Sequence, residues 1–157
     1  MHLLAPPAAL IGRILISLIF ILAGAAKLGD IAGTDAYIQS VGLPAGLALP
    51  AALFELIGGV CILLGFLVRP MALLLSGFCI VTALFFHNDF ANQMQMTMFL
   101  KNIALAGGFL ILFAYGNMAY SFDSLRNRRK TEKADAQSRI EAAEAQAKAA
   151  SQEASAS

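Results

Sequence analysis

Four apolar stretches constrain this chain more than anything else in it, because each is close to the ~20 residues a helix needs to cross a bilayer. They cover roughly residues 8–28, 47–67, 69–87 and 99–116. Strands are excluded as spans, since an open sheet edge in lipid leaves backbone groups without partners. The composition agrees: only 13% of residues are charged, about half the ~25% of an ordinary soluble domain. The basic residues form a short cluster beside the last span, which excludes a nucleic-acid interface.

The breaks between the spans are legible. "GDIAGTDAYIQSVGLPAG" joins the first two and, being rich in Gly, Asp and Pro, predicts a partly ordered loop. "VRP" makes a tight hairpin between the second and third, with Pro70 suited to the first turn of the next helix. "HNDFANQMQMT" separates the third from the fourth. Beyond Asp123 the chain turns to Ala, Glu, Gln and Lys, with helical propensity and almost nothing to bury. The expectation is an all-α fold: an antiparallel up-down bundle of four transmembrane helices over 1–123, and a polar tail over 124–157, helical or disordered. Ala23-Gly24-Ala25 resembles a secretory cleavage site, but apolar residues from Leu3 onward make the run longer than a signal core requires, so it is read as a retained span.

Basic residues in short flanks set orientation. Arg126, Arg128, Arg129 and Lys130 follow the fourth span, Arg69 marks the hairpin and Arg13 opens the first span. The first and third loops carry Asp30, Asp35 and Asp89 with no Lys or Arg of their own. The chain is therefore expected to be multi-pass in a bacterial plasma (inner) membrane with both termini cytoplasmic.

Helical spacing sorts the polar residues onto faces. Arg13, Ser17, Phe20, Gly24 and Lys27 share one face of the first span, and Glu55, Gly59, Ile62, Phe66 and Arg69 one face of the second. Ser76, Ile80, Ala83 and His87 line the third, and Lys101, Leu105, Gly108, Leu112 and Tyr115 the fourth. Small residues on these faces permit close helix approach, so the four faces are expected to turn inward.

Glu55 falls near the middle of its span, where an ionised side chain costs about 2.5–3.5 kcal/mol on insertion scales. It must be protonated, paired or wetted, and Arg13 and Lys101, with their long stems, are its expected partners. Two readings stand open: a structural ion pair fixing the bundle, or a proton carrier in a functional site. Arg13, Lys27, His87, Lys101 and Asn102 are the candidate ligand-binding residues of the polar interior, an arrangement suited to a quinone headgroup or a small anion. Met94, Met96 and Met98 are soft groups near His87, but without a second His or Cys they are read as interface filling rather than a copper site. Cys61 and Cys79 are out of register for a disulfide and are read as apolar filling. The residues predict no metal site, paired-histidine haem, iron–sulfur cluster or nucleotide fingerprint.

These residues together resemble the DoxX family of small bacterial membrane proteins. The likeness runs from Arg13 and "AGAAKL" through "VGLP", "ELIGGVCILLGFLVRP", His87 and "FLKNIALAGGFLILFAYG" to the "YSFD" that ends at Asp123. The resemblance implies a four-helix membrane bundle and a role as a subunit or accessory of a quinone-linked oxidoreductase. A quinone is then the candidate cofactor, and a redox subunit, the lipid bilayer or a second copy of the chain the candidate partners. A non-catalytic scaffold that binds lipid or proteins and a small transporter are the alternatives, and catalysis by this chain alone is left open.

Overall fold

A computed structural model describes residues 5–115 and 121–156, with side chains placed for 7–115, 121 and 123–146. Among these residues there are six helices and no strand: α1 (Ala5–Gly29), α2 (Ile31–Ser40), α3 (Ala48–Leu64), α4 (Val68–Phe86), α5 (Gln93–Ala114) and α6 (Phe122–Ala156). The all-helical class expected from the sequence is borne out. Gly116, the expected end of the fourth span, and His2 lie outside the described residues.

Three helices are long and apolar enough to cross a membrane, over Pro7–Gly29, Val68–Phe86 and Gln93–Ala114. The fourth, α3, has 17 residues, the lower edge of the ~17–25 that span a bilayer. It is shorter than the apolar run over 47–67 because Gly65 ends it in the left-handed region (φ 72°), where glycine pays no steric penalty. The turn over 65–67 then leads directly into α4, with Pro70 in its first turn as the sequence suggests. In contrast, α5 begins six residues before the expected 99, because Asn92 caps it by accepting the N–H groups of Met94 and Gln95.

The principal packing pairs are α1 with α3 and α4 with α5. Gly24 lets α1 touch the backbone of α3: a Cβ there would lie 2.7 Å from both the Ala52 carbonyl oxygen and the Leu56 nitrogen. Across the second pair, buried Ser76 donates to the Ala106 carbonyl at 3.1 Å. The pairs meet in an apolar core of Phe20, Ile62, Leu75, Phe109 and Leu112, where the Phe20 and Phe109 rings pack edge to face at 5.2 Å. Side chains facing away from it, such as Leu15, Leu22, Leu84 and Ile111, are exposed and apolar, as a lipid-facing surface requires.

The predicted inward faces are right for α1, hold at Glu55, Gly59 and Ile62 of α3, Ser76 and Ala83 of α4 and Leu112 of α5, and need correcting at other positions. Arg13, Ser17 and Phe20 are buried. Arg69 and Phe66 do not share a face with Glu55, because α3 stops before them; Arg69 belongs to α4 and donates to the Ala114 carbonyl at 3.1 Å. On α4 the buried row is Ala72, Leu75, Ser76, Cys79 and Ala83, with Ile80 exposed. On α5 it runs through Ala106, Phe109 and Leu112, leaving Tyr115 exposed.

One compact unit extends to Asp123 and a second begins at Ser124. Within the first, Asp123 donates its N–H to the Gly65 carbonyl and accepts the Val68 N–H on Oδ2, both at 3.1 Å. Its carboxylate thus satisfies an orphan donor at the α4 N-terminus. The second unit is helix throughout its described residues, with side chains exposed from 125 to 146.

Candidate functional site

The loop between α1 and α3 is built more firmly than its composition suggests. Asp30 caps α2 by accepting the Gly33 N–H at 2.8 Å. One turn later the Asp35 carboxylate accepts the N–H groups of Gly46 at 3.1 Å and Ala48 at 2.9 Å, which ties α2 to the start of α3. Tyr37 reaches the far end of α4 and stacks on Phe86 with ring centroids 5.3 Å apart. The short helix therefore lies across the end of the bundle where α1 and α4 finish and α3 and α5 begin.

Beneath α2 is a cavity of about 450 Å³ walled by all five helices α1–α5. Its surface is mainly apolar, with Ile19, Phe20, Ala51, Phe78 and Leu105 among the lining side chains. Against these stand Lys27, Glu55, His87, Lys101 and Asn102, so five of the six sequence-selected interior residues line one space. Rim residues Leu47, Tyr37 and Val81 are 39%, 50% and 52% exposed, so the cavity opens at the surface of the bundle.

The acid in its wall is held by one base. Lys27 Nζ donates to Glu55 Oε2 at 2.7 Å, in an ion pair where Glu55 is 5% exposed. This corrects the partner expected from the sequence. Arg13 shares a face with Lys27 but lies fourteen residues away, about 21 Å along the helix. It is buried at the opposite end of the bundle, its guanidinium against Gly65 and near Ser121, and takes no part in the cavity. The Gly24 contact sets the register that puts Lys27 beside Glu55, and side chains in helices lean toward the N-terminus, which carries the lysine stem down to the carboxylate.

Lys101, the other expected partner, instead donates to Met98 Sδ at 3.3 Å. The His87 ring joins Gln95 Oε1 through Nδ1 at 2.8 Å. Met94 and Met96 point outward, 70% and 46% exposed, so the methionine run does not gather around His87. Cys61 and Cys79 are both free thiols, and Cys79 lines the cavity.

The groups contributed by α2, Thr34 and Tyr37, and the roles of Gln95 and Asp35 are not evident from the sequence pattern. A signal for α2 was present: Asp30 stands where a helix cap would, ahead of "IAGTDAYIQS".

The family model for DoxX matches residues 8–88. Inner membrane protein YqjF of Escherichia coli K12 is 45% identical over 121 residues, covering 76% of this chain and 92% of the relative. Inner membrane protein YphA of the same organism is 36% identical over 125 residues, covering 75% and 89%. No solved structure matches. The stretch matched by the family model contains Lys27, Glu55 and His87 and ends before Lys101 and Asn102.

Proposed function

The chain belongs to the DoxX family of membrane proteins, and from that premise we propose that it is an inner-membrane subunit or accessory of a quinone-linked oxidoreductase system. Its cavity beneath α2 takes the quinone headgroup. The observation that carries this reading is an ion-paired acid set in the wall of an apolar cavity that opens at the bundle surface. Ligand sites commonly combine apolar walls with a few placed polar groups in ~300–1,000 Å³, and intramembrane acids mark proton paths and substrate sites by default.

The residues fit such a group. Quinone oxygens are hydrogen-bond acceptors, and Lys101 and Asn102 bring an ammonium and an amide to the cavity. Ile19, Phe20 and Phe78 bring apolar surface for the ring. The exposed rim at Leu47 and Val81 suits entry of a lipid-soluble molecule from the bilayer. A bound quinone supplies an acceptor for two electrons and two protons; in this reading the electrons come from a partner subunit. Lys27 holds Glu55 by Oε2, which leaves Oε1 as the atom that exchanges a proton with the ligand. The inner-membrane assignment follows the two relatives, which are named as inner membrane proteins.

A second reading has its own observation. The Lys27–Glu55 pair joins α1 to α3 and would serve a non-catalytic scaffold as a lock. Carbodiimide labelling of Glu55 in proteoliposomes separates the two. A short-chain ubiquinone is expected to protect Glu55 from modification; labelling at an unchanged rate in saturating ubiquinone would leave only the lock.

A further inference from the structure

The charges around the cavity do not balance. Glu55 is the acid among its lining residues, and Lys27 already holds it. Lys101 is a second cation on the same wall, and its ammonium is bonded to a thioether sulfur, a weak and uncharged acceptor. Among the described residues no carboxylate lies within ion-pair distance of Lys101. The remaining ionisable groups facing the space are His87, Tyr37 and Cys79. His87 adds no negative charge in either protonation state, and its Nδ1 is engaged by Gln95.

Lys101 is an exposed residue of the cavity lining, so its ammonium is open to an incoming ligand. Lys101 is eight residues into α5 and Glu55 seven into α3, about 12 and about 11 Å from helix ends on the same side of the bundle. Held only by a thioether and set beside apolar walls, this ammonium is the group on the cavity that best complements an anion. An anion supplied by the ligand removes the imbalance, because charge-assisted hydrogen bonds are roughly twice as strong as neutral ones. Asn102, adjacent to Lys101 and on the same cavity, adds an uncharged donor.

We infer that this cavity selects an acidic amphiphile: a ligand with one negative charge at its polar end, seated on Lys101 and Asn102, and an apolar body against Ile19, Phe78 and Val81. The inference rests on the cavity being the ligand site proposed above, and it narrows the quinone class to quinones that ionise near neutral pH.

The test compares three probes at neutral pH by equilibrium dialysis against the full chain in nanodiscs of zwitterionic lipid. Lawsone is a naphthoquinone that is an anion under these conditions, menadione a neutral naphthoquinone of similar size, and laurate an acid with no quinone ring. Lawsone is expected to bind at least about tenfold more tightly than menadione. Lys101→Met should erase that preference and Lys101→Arg should keep it. Equal affinity for lawsone and menadione, indifferent to Lys101→Met, would overturn the inference and leave the quinone reading standing. Lys101-dependent binding of laurate with neither naphthoquinone bound would support the inference and overturn the quinone reading. No binding of any probe would overturn both.

Discussion

At the scale of single residues, the Lys27–Glu55 pair is asymmetric, and the asymmetry is testable. Glu55 is 5% exposed, while the Lys27 side chain is 31% exposed. Lys27→Met strands a carboxylate in the interior, and removing one member of a buried pair costs about 3–5 kcal/mol. Glu55→Gln keeps the shape and leaves a lysine whose stem can carry its charge toward the surface. Chemical unfolding in detergent should therefore show Lys27→Met as the more damaging change. Glu55→Gln is expected to stay folded in the membrane and to lose quinone-linked activity. A Glu55→Gln variant that is itself unfolded would move the residue to a purely structural role. That an acid occupied the interior was legible in the sequence, because "AALFELIGGVCILLG" breaks its hydropathy at that one position. Its partner was not. Arg13, Lys27 and Lys101 all satisfy face and charge, and only the register between α1 and α3 chooses among them.

At the scale of elements, that register is fixed by a glycine with no side chain to announce it. The Gly24 position touches α3 backbone, whereas a Cβ on Gly77 would meet nothing within 4 Å. Gly24→Ala is expected to destabilise the bundle by about 1–3 kcal/mol through overpacking, and Gly77→Ala to have no such effect, as thermal melts in detergent would show. Helical spacing puts Gly24, and not Gly77, on an inward face; the backbone that it touches is set by the helix opposite. The helix α2 was hard to see. Its ten residues lie in a segment whose Gly, Asp and Pro read as a loop, and their helical form depends on Asp30, on Asp35 binding the start of α3, and on the Tyr37–Phe86 stack. Asp35→Ala removes the hydrogen bonds that tie α2 to the start of α3 and should loosen α2 by about 1 kcal/mol, the usual net value of a hydrogen bond. Hydrogen exchange over 31–40 should rise about fivefold while α4 and α5 stay protected. Uniform acceleration in all helices would show that Asp35 supports the whole bundle.

At the scale of the molecule, the apolar runs and the breaks between them made the bundle readable, since hydrocarbon admits few alternatives to helices. The cavity was readable only as a set of residues, because its walls are assembled from five helices and roofed by the one element the pattern did not reveal. The basic residues beside the hairpin and after Asp123 predict cytoplasmic termini, and with them α2 and the cavity in the opposite half of the membrane. Reporter fusions should show this: an alkaline phosphatase fused after residue 130 should be inactive and one inserted in the loop at residue 89 active, with the reverse result inverting the molecule.

Photoaffinity labelling tests most directly whether a quinone binds in the cavity beneath α2. An azidoquinone irradiated with the membrane-embedded protein should label cavity residues on α1 and α3, around Ile19–Lys27 and Leu47–Glu55, and excess unlabelled quinone should suppress the labelling. Labelling spread over the lipid-facing residues Leu15, Leu84 and Ile111, unaffected by competitor, would contradict it.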